Sequence, residues 1–436
     1  MEILFIHQNF PGQYLHLARN LVRSGKHRVT GIGDAENIKN HGTIDGCVSI
    51  GYPPPEQAGP KTHHYLRSLE AGVRRGQAVV RALLHLKSKG FAPDVISLHP
   101  GWGEGLFVRE IFPYTPLVMF CEYYFRAGEA DMGFDPEFPL TLDASLKVGL
   151  CNTTQVMSLL NADFCVSPTP WQASRYPEFI REKIRILHEG IDTGFMTPDP
   201  EESVFLRRTD RAGHSRILAT DTEDRAPDGE TLRFSRKDKV ITFAARNLEP
   251  YRGAHVFLRA LPDIQRRHPD AHILIVGDDG ASYSAPPPGG RSFKDIFLGE
   301  IAGRADFSRI HLLSRVPYQT LRSIFRISSA HVYLSYPFVL SWSCLEAMSC
   351  EALVVASRTA PVAEAVKDGE TGLMVDFFDK KSLIDTVDEV LKRPERFAAL
   401  RRNARAFVER NYALADCLKG QTDLLEEAAA SRGTGA

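Results

Sequence analysis

The chain has 436 residues, enough for two to three domains at roughly 150 residues each. Hydrophobic residues make up 43% of it and charged residues 25%, which excludes a collagen-like or wholly disordered chain. The 53 Lys and Arg residues nearly balance the 54 Asp and Glu residues, so no overall field attracts nucleic acid. We therefore predict no nucleic-acid partner, and any anionic ligand must meet a local cluster of positive charge.

The N-terminal residues 1–7 contain an early Glu and no basic region, so they predict a first strand rather than a signal peptide. The longest uncharged window, 327–345, contains serines and Pro337, and it predicts a buried strand, a loop and a helix start rather than a membrane span. Seven cysteines without CxxC spacing favour buried thiols in a reducing compartment. We expect a cytoplasmic protein.

Short apolar runs alternate with helical patterns in two halves of the chain, which is typical of parallel sheets covered by helices. The predicted strands are 3–6, 28–32, 95–98, 117–120, 164–166 and 184–187 in the first half, and 240–244, 272–276, 310–312, 331–334 and 353–356 in the second. These patterns predict an α/β protein with Rossmann-like domains at 1–197 and 238–412, separated by a polar boundary segment at 198–237. The last helix, about 413–436, is predicted to return to the first domain.

Two arginines flank a predicted helix start in the second half. Arg246 and Arg252 lie between the strand at 240–244 and a helix predicted from residue 253. A helix N-terminus offers free N–H groups and a partial positive charge, and two guanidinium groups beside it predict a diphosphate site. The alternative is a pair of solvated surface arginines.

A carboxylate follows the strand at 331–334, at the start of another predicted helix. Glu346 is placed to accept hydrogen bonds from two ribose hydroxyls. The alternative is a Glu that interacts only with the helix dipole.

These residues resemble a known family. The stretch from Arg246 to Arg252 is similar to the Arg-x-x-x-x-x-Lys/Arg clamp of the retaining glycosyltransferases of family 4. Further segments similar to the family lie at 188–192, 273–277, 315–318, 360–364 and 368–373, and two segments of the first domain, 7–13 and 99–104, resemble one subgroup. The resemblance implies the GT-B architecture of two facing Rossmann-like domains with a C-terminal crossover helix.

The resemblance also implies roles for residues of the second domain. Arg246 and Arg252 hold the donor diphosphate, Glu346 the ribose, and the backbone at Arg315 and Val316 the base. The backbone N–H groups of the segment Val339, Leu340 and Ser341 are expected to bind the donor sugar or phosphate. The family usually has a second Glu eight positions before the ribose Glu, and this chain has Phe338 there.

The first domain departs from the family at its catalytic histidine, which is replaced by Cys121 and Glu122 after the strand at 117–120. We predict that Glu122 orients the acceptor hydroxyl, with His99 as the second catalytic candidate. The alternative for His99 is a histidine that is simply hydrogen-bonded within its loop. Gly12 is a candidate for close approach of backbone to the diphosphate, and a routine helix start is equally consistent with it.

Together these observations predict a hexosyltransferase that uses a nucleoside diphosphate sugar as co-substrate, no cofactor and no metal, and a saccharide or lipid-linked acceptor. A nucleotide-sugar-binding module without activity and a sugar-nucleotide epimerase of the same fold are the alternatives. The predicted helix at 65–89 carries Arg67, Arg74, Arg81 and His85 on one face, which favours peripheral contact with the inner face of the membrane. An ordinary helix with its basic face in water is the alternative.

Overall fold

The computed structural model describes residues 1–56, 58–210, 212–218 and 231–431. The chain divides into two compact units. The first contains Met1–Gly190 and the C-terminal segment that begins at Leu414, and the second contains Ile191–Ala413. The division falls after Gly190, earlier than the boundary predicted at 197. Part of the predicted boundary segment, residues 219–230, and the end of the predicted tail, residues 432–436, lie outside the described residues.

The first unit is built on a parallel sheet of seven strands. The strands are β1 (Glu2–Ile6), β2 (Arg28–Asp34), β3 (Val48–Tyr52), β4 (Val95–Leu98), β5 (Leu117–Phe120), β6 (Phe164–Ser167) and β7 (Ile184–Ile186). Their order in the sheet is β3-β2-β1-β4-β5-β6-β7. The six predicted strands are confirmed, whereas β3 was missed because it is an edge strand with an exposed Val48 rather than a continuous apolar run.

Helices cover the sheet of the first unit. They are α1 (Leu15–Arg23), α2 (Ala35–His41), α3 (Arg67–Ser88), α4 (Val108–Ile111), α5 (Leu142–Cys151), α6 (Thr153–Leu159), α7 (Pro170–Ser174) and α8 (Glu178–Arg181). Alternate residues of the strands enter two apolar cores, because successive side chains of a strand point to opposite faces. Leu4 and Ile96 belong to one core, and Phe5 and Val118 to the other.

The second unit contains a parallel sheet of six strands and a smaller antiparallel sheet. The strands are β8 (Ser203–Arg208), β9 (Ser215–Leu218), β10 (Thr231–Ser235), β11 (Val240–Asn247), β12 (His272–Asp278), β13 (Ile310–Leu313), β14 (Ala330–Tyr333), β15 (Val354–Ser357) and β16 (Leu373–Val375). The parallel sheet has the order β13-β12-β11-β14-β15-β16. Each sheet strand predicted for this half is present, and β16 is an additional edge strand.

The antiparallel sheet, of order β10-β8-β9, corrects the expectation for 198–237. Its described strands belong to the second unit rather than to a boundary segment. Val204, Leu206 and Phe234 pack in a core with residues of the parallel sheet such as Leu274. The period-2 alternation of this segment was missed because it is short and lies among Asp, Arg and Gly residues that predict loops.

The helices of the second unit are α9 (Ala254–Arg267), α10 (Phe293–Ile301), α11 (Tyr318–Ile327), α12 (Trp342–Ser349), α13 (Ala360–Ala363), α14 (Lys380–Lys392) and α15 (Ala398–Tyr412). The last helix, α16 (Leu414–Ala430), belongs to the first unit, as predicted. Its Leu424 and Leu425 pack in the same core as Val118 and Phe120 of β5. Over the part of the chain that the structure describes, we find no helix with the length and apolar character needed to cross a bilayer.

Candidate functional site

A cavity of about 240 Å³ lies at the carboxyl end of the sheet of the second unit. The strands β12, β11 and β14 are adjacent, so the residues that end them meet at one edge. Arg246, Arg252 and Arg315 line the cavity together with Val316 and Ser341. Five residues predicted for the donor site are therefore brought together at one cavity. Glu249 is the one carboxylate among the cavity-lining residues, so the lining carries a net positive charge.

Arg252 is buried and held from several sides. Its Nη1 donates to the Ser335 hydroxyl at 2.9 Å and to the Val339 carbonyl at 3.1 Å, and it lies 3.3 Å from the Tyr333 hydroxyl. Burial alone would lower the pKa of this guanidinium, but the facing tyrosines and Glu249 outweigh that effect and raise it. Arg252 is therefore a fixed cation, oriented before any ligand binds.

Arg246 and Arg315 are both more exposed than Arg252. Arg246 lies near the end of β11 and is exposed. The backbone N–H of Arg315 donates to Asp278 at 3.0 Å, and its side chain is 73% exposed. The Nε atom of Arg315 also lies 3.8 Å from a carboxylate oxygen of Asp278. Both exposed side chains have more room to change rotamer on an incoming anion than the buried Arg252 has.

Of the predicted backbone donors at 339–341, the N–H group of Ser341 is already hydrogen-bonded within the protein. The Ser341 N–H donates to the Tyr333 hydroxyl at 2.8 Å, and the Ser341 hydroxyl accepts from the Ser343 N–H at the start of α12. Val339 and Leu340 are buried. Ser341 lines the cavity, and its N–H can meet a ligand only after exchanging its bond to Tyr333. Binding of the donor sugar or phosphate by this segment stays a prediction.

Glu346 is a buried carboxyl on α12, and it is not one of the residues that line the cavity. Its Oε1 accepts a hydrogen bond of 2.7 Å from the hydroxyl of Tyr318. Burial raises the pKa of the Glu346 carboxyl to about 7, and the bond from Tyr318 opposes that rise. The Tyr318 ring stacks on Phe195 with 5.2 Å between the ring centroids. A ribose that binds Glu346 must therefore compete with the Tyr318 hydroxyl.

Phe338, which stands where the family has a Glu, is buried in an aromatic cluster. Its ring centroid lies 4.8 Å from that of Tyr283 and 5.6 Å from that of Tyr251. Tyr283 itself lines the cavity. Phe338 thus supports one wall of the cavity, because it packs against the ring of Tyr283. Tyr283 was not among the predicted site residues.

A second group of predicted residues meets in the first unit. His7 follows β1, His99 follows β4 and Glu122 follows β5 by two residues, and these three strands are adjacent in the sheet. The His99 ring stacks on Trp102 with 4.3 Å between centroids, and the His7 ring lies 5.2 Å from Trp102. Trp102 was not among the predicted site residues, although it lies in the same glycine-rich segment as His99.

Glu122 and His99 are bonded to each other, with Oε2 and Nε2 3.1 Å apart. The Nδ1 atom of His99 accepts the N–H of Gly101 at 3.1 Å, so in the neutral ring the proton lies on Nε2 and is donated to Glu122. Gln13 donates to the other carboxylate oxygen at 3.2 Å. The Glu122 side chain is 36% exposed and that of His99 only 6%, so Glu122 is the more accessible of the two.

Gly12 lies against the ring of His7. Its φ is +47°, and a Cβ atom built there would come within 2.6 Å of the His7 imidazole. Glycine is therefore needed at this position by the fold of the first unit. A contact of Gly12 with a diphosphate stays a prediction. Within the described residues, no group of three or more His, Cys, Asp or Glu side chains is placed to hold a metal ion.

Two family models match most of the sequence. Residues 25–196 match "Glycosyl transferase family 4 group" and residues 229–407 match "Glycosyl transferases group 1". The chain belongs to glycosyltransferase family 4. The family resemblance of both domains is thus confirmed.

Curated relatives are a little over a quarter identical to this chain over the stretches that align. A GDP-mannose-dependent alpha-(1-6)-phosphatidylinositol monomannoside mannosyltransferase of Mycolicibacterium smegmatis is 28% identical over 55% of the chain and 56% of its own length. A D-inositol 3-phosphate glycosyltransferase of Rhodococcus jostii is 27% identical over 41% of the chain. The chain covers only 38% of that relative's length.

Solved structures share the fold over nearly the whole chain. HepE of Anabaena, solved with UDP-glucose, has a TM-score of 0.63 at 15% identity and covers 98% of this chain and 100% of its own. Sucrose-phosphate synthase of Thermosynechococcus elongatus has a TM-score of 0.70 at 16% identity over 99% of this chain and 100% of its own. The GT-B fold predicted for this family 4 chain is confirmed.

Proposed function

We propose that this chain transfers a hexose from a nucleoside diphosphate sugar to an acceptor hydroxyl, with retention at the anomeric carbon. The observation that carries the proposal is the cavity of about 240 Å³ lined by Arg246, Arg252 and Arg315. The one carboxylate in its lining, Glu249, already accepts hydrogen bonds from backbone N–H groups of residues 282–284. Three guanidinium groups against one carboxylate give the cavity lining a net positive charge, and a diphosphate is the part of such a donor that needs it.

The chemistry proposed for this site is stabilisation of a departing diphosphate. Arg246 and Arg252 neutralise the negative charge that grows on the leaving oxygen as the bond to the sugar breaks. The placement of Arg252 before the reaction saves reorganisation in the transition state. In the same-face route, the departing phosphate oxygen accepts the proton of the acceptor hydroxyl. Glu122 orients that hydroxyl, so no side chain needs to act as nucleophile.

The relatives suggest which donors and acceptors to offer. One is named for GDP-mannose and a phosphatidylinositol mannoside, and one structure was solved with UDP-glucose. We propose a saccharide or lipid-linked acceptor and a role in the synthesis of a cell-surface polysaccharide or glycoconjugate. The two names differ in base and sugar, so the donor has to be identified by experiment.

Thermal-shift measurements with UDP-, GDP-, ADP- and TDP-sugars test the donor class. A true donor should raise the melting temperature of the wild-type protein by mass action, and much less that of Arg246→Ala. The donor found in this way is then incubated with saccharide and lipid acceptors. Binding without any transfer or slow hydrolysis would favour the binding-module alternative, and product formed without an acceptor would favour an epimerase.

Peripheral membrane contact through 65–89 is a further part of the proposal. On α3, Arg67, Arg81 and His85 are exposed, whereas Arg74 is paired with Glu70 at 2.6 Å. The helix α5 packs beside α3 and exposes a line of apolar side chains, namely Leu142, Leu146 and Leu150. Basic side chains next to exposed leucines are suited to an anionic lipid surface.

Flotation with liposomes at physiological salt tests this contact. Protein that rises with anionic vesicles but not with neutral ones supports it, and Arg67→Glu together with Arg81→Glu should abolish flotation. Protein that stays at the bottom with both vesicles rejects the membrane contact and leaves the transferase proposal untouched.

A further inference from the structure

Glu249 is a buried carboxylate at the donor cavity to which the proposed chemistry gives no role. It directly precedes the helical turn Pro250–Arg252, and only 1% of the residue is exposed. Its two oxygens accept from three consecutive backbone N–H groups. These are Ser282 at 3.1 and 3.2 Å, Tyr283 at 3.0 Å and Ser284 at 2.8 Å. Successive N–H groups that converge on one anion form a backbone nest, which here encloses a carboxylate of the protein itself.

The loop bound in this way, residues 282–284, carries a wall of the cavity. The ring of Tyr283 lies over the guanidinium of Arg252, with 5.5 Å from Cζ to the ring centroid. The same ring contacts Phe338. Asn247 supplies a second tie, because its Nδ2 donates to the Ser282 hydroxyl at 2.5 Å. Asn247, the last residue of β11, and Glu249, which lies just after that strand, thus hold a loop that follows β12, more than thirty residues further along the chain.

We propose that Glu249 is a positioning residue of the donor site, which fixes the loop 282–284 so that Tyr283 closes the cavity wall over Arg252. This inference rests on the proposed function, since it assigns the regulation of cavity shape to that site. An unfixed loop would have to be ordered at the moment of binding, and the cost would appear as weaker donor affinity. A glutamine at 249 keeps one acceptor oxygen but turns an NH₂ group toward the backbone donors, so it should release the loop.

Calorimetric titration of UDP and of GDP tests the inference in a double-mutant cycle. The variants are Glu249→Gln, Tyr283→Ala and the double variant, and Glu300→Gln is the matched control because Glu300 pairs with Arg259 on the surface of the same unit. We expect each single variant to weaken the affinity for the better nucleotide by about tenfold, and the double variant to be no weaker than Tyr283→Ala. The control should bind like the wild type.

A kinetic split distinguishes positioning from damage to the fold. Glu249→Gln should raise the KM for the donor, while kcat at saturating donor stays within about threefold of the wild type because both arginines remain. Asn247→Ala releases the same loop without leaving a buried polar group unpaired. It is therefore the substitute variant if Glu249→Gln does not fold. Asn247→Ala should also weaken nucleotide binding.

Three results separate this inference from the proposed function. If none of UDP, GDP, ADP and TDP binds the wild type in the same titration, the proposed function fails, and this inference fails with it. If Arg246→Ala weakens binding but Glu249→Gln and Asn247→Ala stay within about twofold of the wild type, the donor site stands and only the role of Glu249 is overturned. Losses that multiply in the double variant also overturn it, because Glu249 would then act independently of Tyr283.

Discussion

The carboxylate of Glu122 accepts a hydrogen bond from the imidazole of His99 across 3.1 Å. The sequence presents these residues as two separate candidates, and the structure joins them in one group. Since the Nδ1 atom of His99 accepts the N–H of Gly101, the ring can serve Glu122 only as a donor through Nε2. His99 therefore stabilises the charged form of Glu122, and the carboxylate is the member of the pair that can meet an acceptor.

This pairing predicts a selective effect of Glu122→Gln. We expect kcat to fall by about 100-fold or more, because the amide does not orient the acceptor hydroxyl as a carboxylate does. The affinity for the donor nucleotide should change by less than about threefold, since the donor cavity lies in the second unit. Steady-state kinetics and nucleotide titration measure the two quantities. Glu178→Gln, an exposed Glu of the same unit, is the control. Equal losses of affinity and turnover would make Glu122 a structural residue.

Arg246→Ala is predicted to lose about 2 to 4 kcal/mol of transition-state stabilisation, the range for one charge-assisted contact to a developing negative charge. The loss should appear in kcat/KM with the donor varied. Arg402→Ala removes an exposed arginine of α15 in the same unit and should leave kcat/KM unchanged. A loss of less than a few-fold for Arg246→Ala rules out its role as a diphosphate ligand.

The raised pKa of Glu346, about 7, predicts that nucleotide affinity depends on pH. Ribose hydroxyls donate to the ionised carboxylate, so binding below pH 7 requires loss of a proton. Affinity for UDP or GDP should therefore rise by up to about tenfold per pH unit between roughly pH 5.5 and 7 and level off above pH 7. Glu346→Gln should remove the part of this pH dependence that is due to Glu346 and keep the part that is due to ionisation of the nucleotide phosphate. An unchanged pH profile in Glu346→Gln contradicts the ribose assignment.

The same pKa also predicts an effect on stability. The carboxyl has a higher pKa in the folded chain than its ordinary value of 4.5, so the folded state binds the proton more tightly. This group's stabilisation is complete below about pH 4.5 and is lost as the pH rises to about 7. Denaturant unfolding at several pH values should show that loss in the wild type and not in Glu346→Gln.

Phe338→Ala is predicted to destabilise the second unit by about 3 to 5 kcal/mol, because it leaves a cavity among buried aromatic rings. Phe338→Glu restores the residue type usual in the family and should cost more, since a carboxylate would be buried among the rings of Tyr251 and Tyr283. Denaturant unfolding measures both, with Phe179→Ala, an exposed Phe, as the control. If Phe338→Ala were as stable as the wild type, the Phe338 ring would make no contribution to the stability of the second unit.

The sequence predicts those features of the fold and of the candidate site that depend on residues close together in the chain. The strand-to-helix connection at Arg246 and Arg252 could be recognised because both residues flank one turn, and adjacent parallel strands bring such turns to one edge. The bond between Glu122 and His99 could also be expected once β4 and β5 are known to be neighbours.

The features that the sequence could not predict are contacts between residues that are far apart in the chain. The contact of Tyr283 with Arg252 joins a loop to a helical turn, and the bond of Tyr318 to Glu346 joins the first residue of α11 to α12. The strands at 203–208 and 231–235 were missed because their pairing is antiparallel and their apolar residues are few. In each case the two contacting segments are far apart in the sequence, and their pairing is determined by tertiary packing.

The position of α16 has a consequence for biosynthesis. A ribosome delivers this helix only after the whole of the second unit, yet Leu424 and Leu425 complete the core that contains Val118 and Phe120. Until the nascent chain has emerged beyond α16, that face of the first sheet stays exposed to water. The second unit occupies the uninterrupted stretch Ile191–Ala413 and finishes its own core earlier. On the ribosome the first unit therefore completes its core after the second unit, although it begins to emerge earlier, in the reverse of the usual N-terminal-first order.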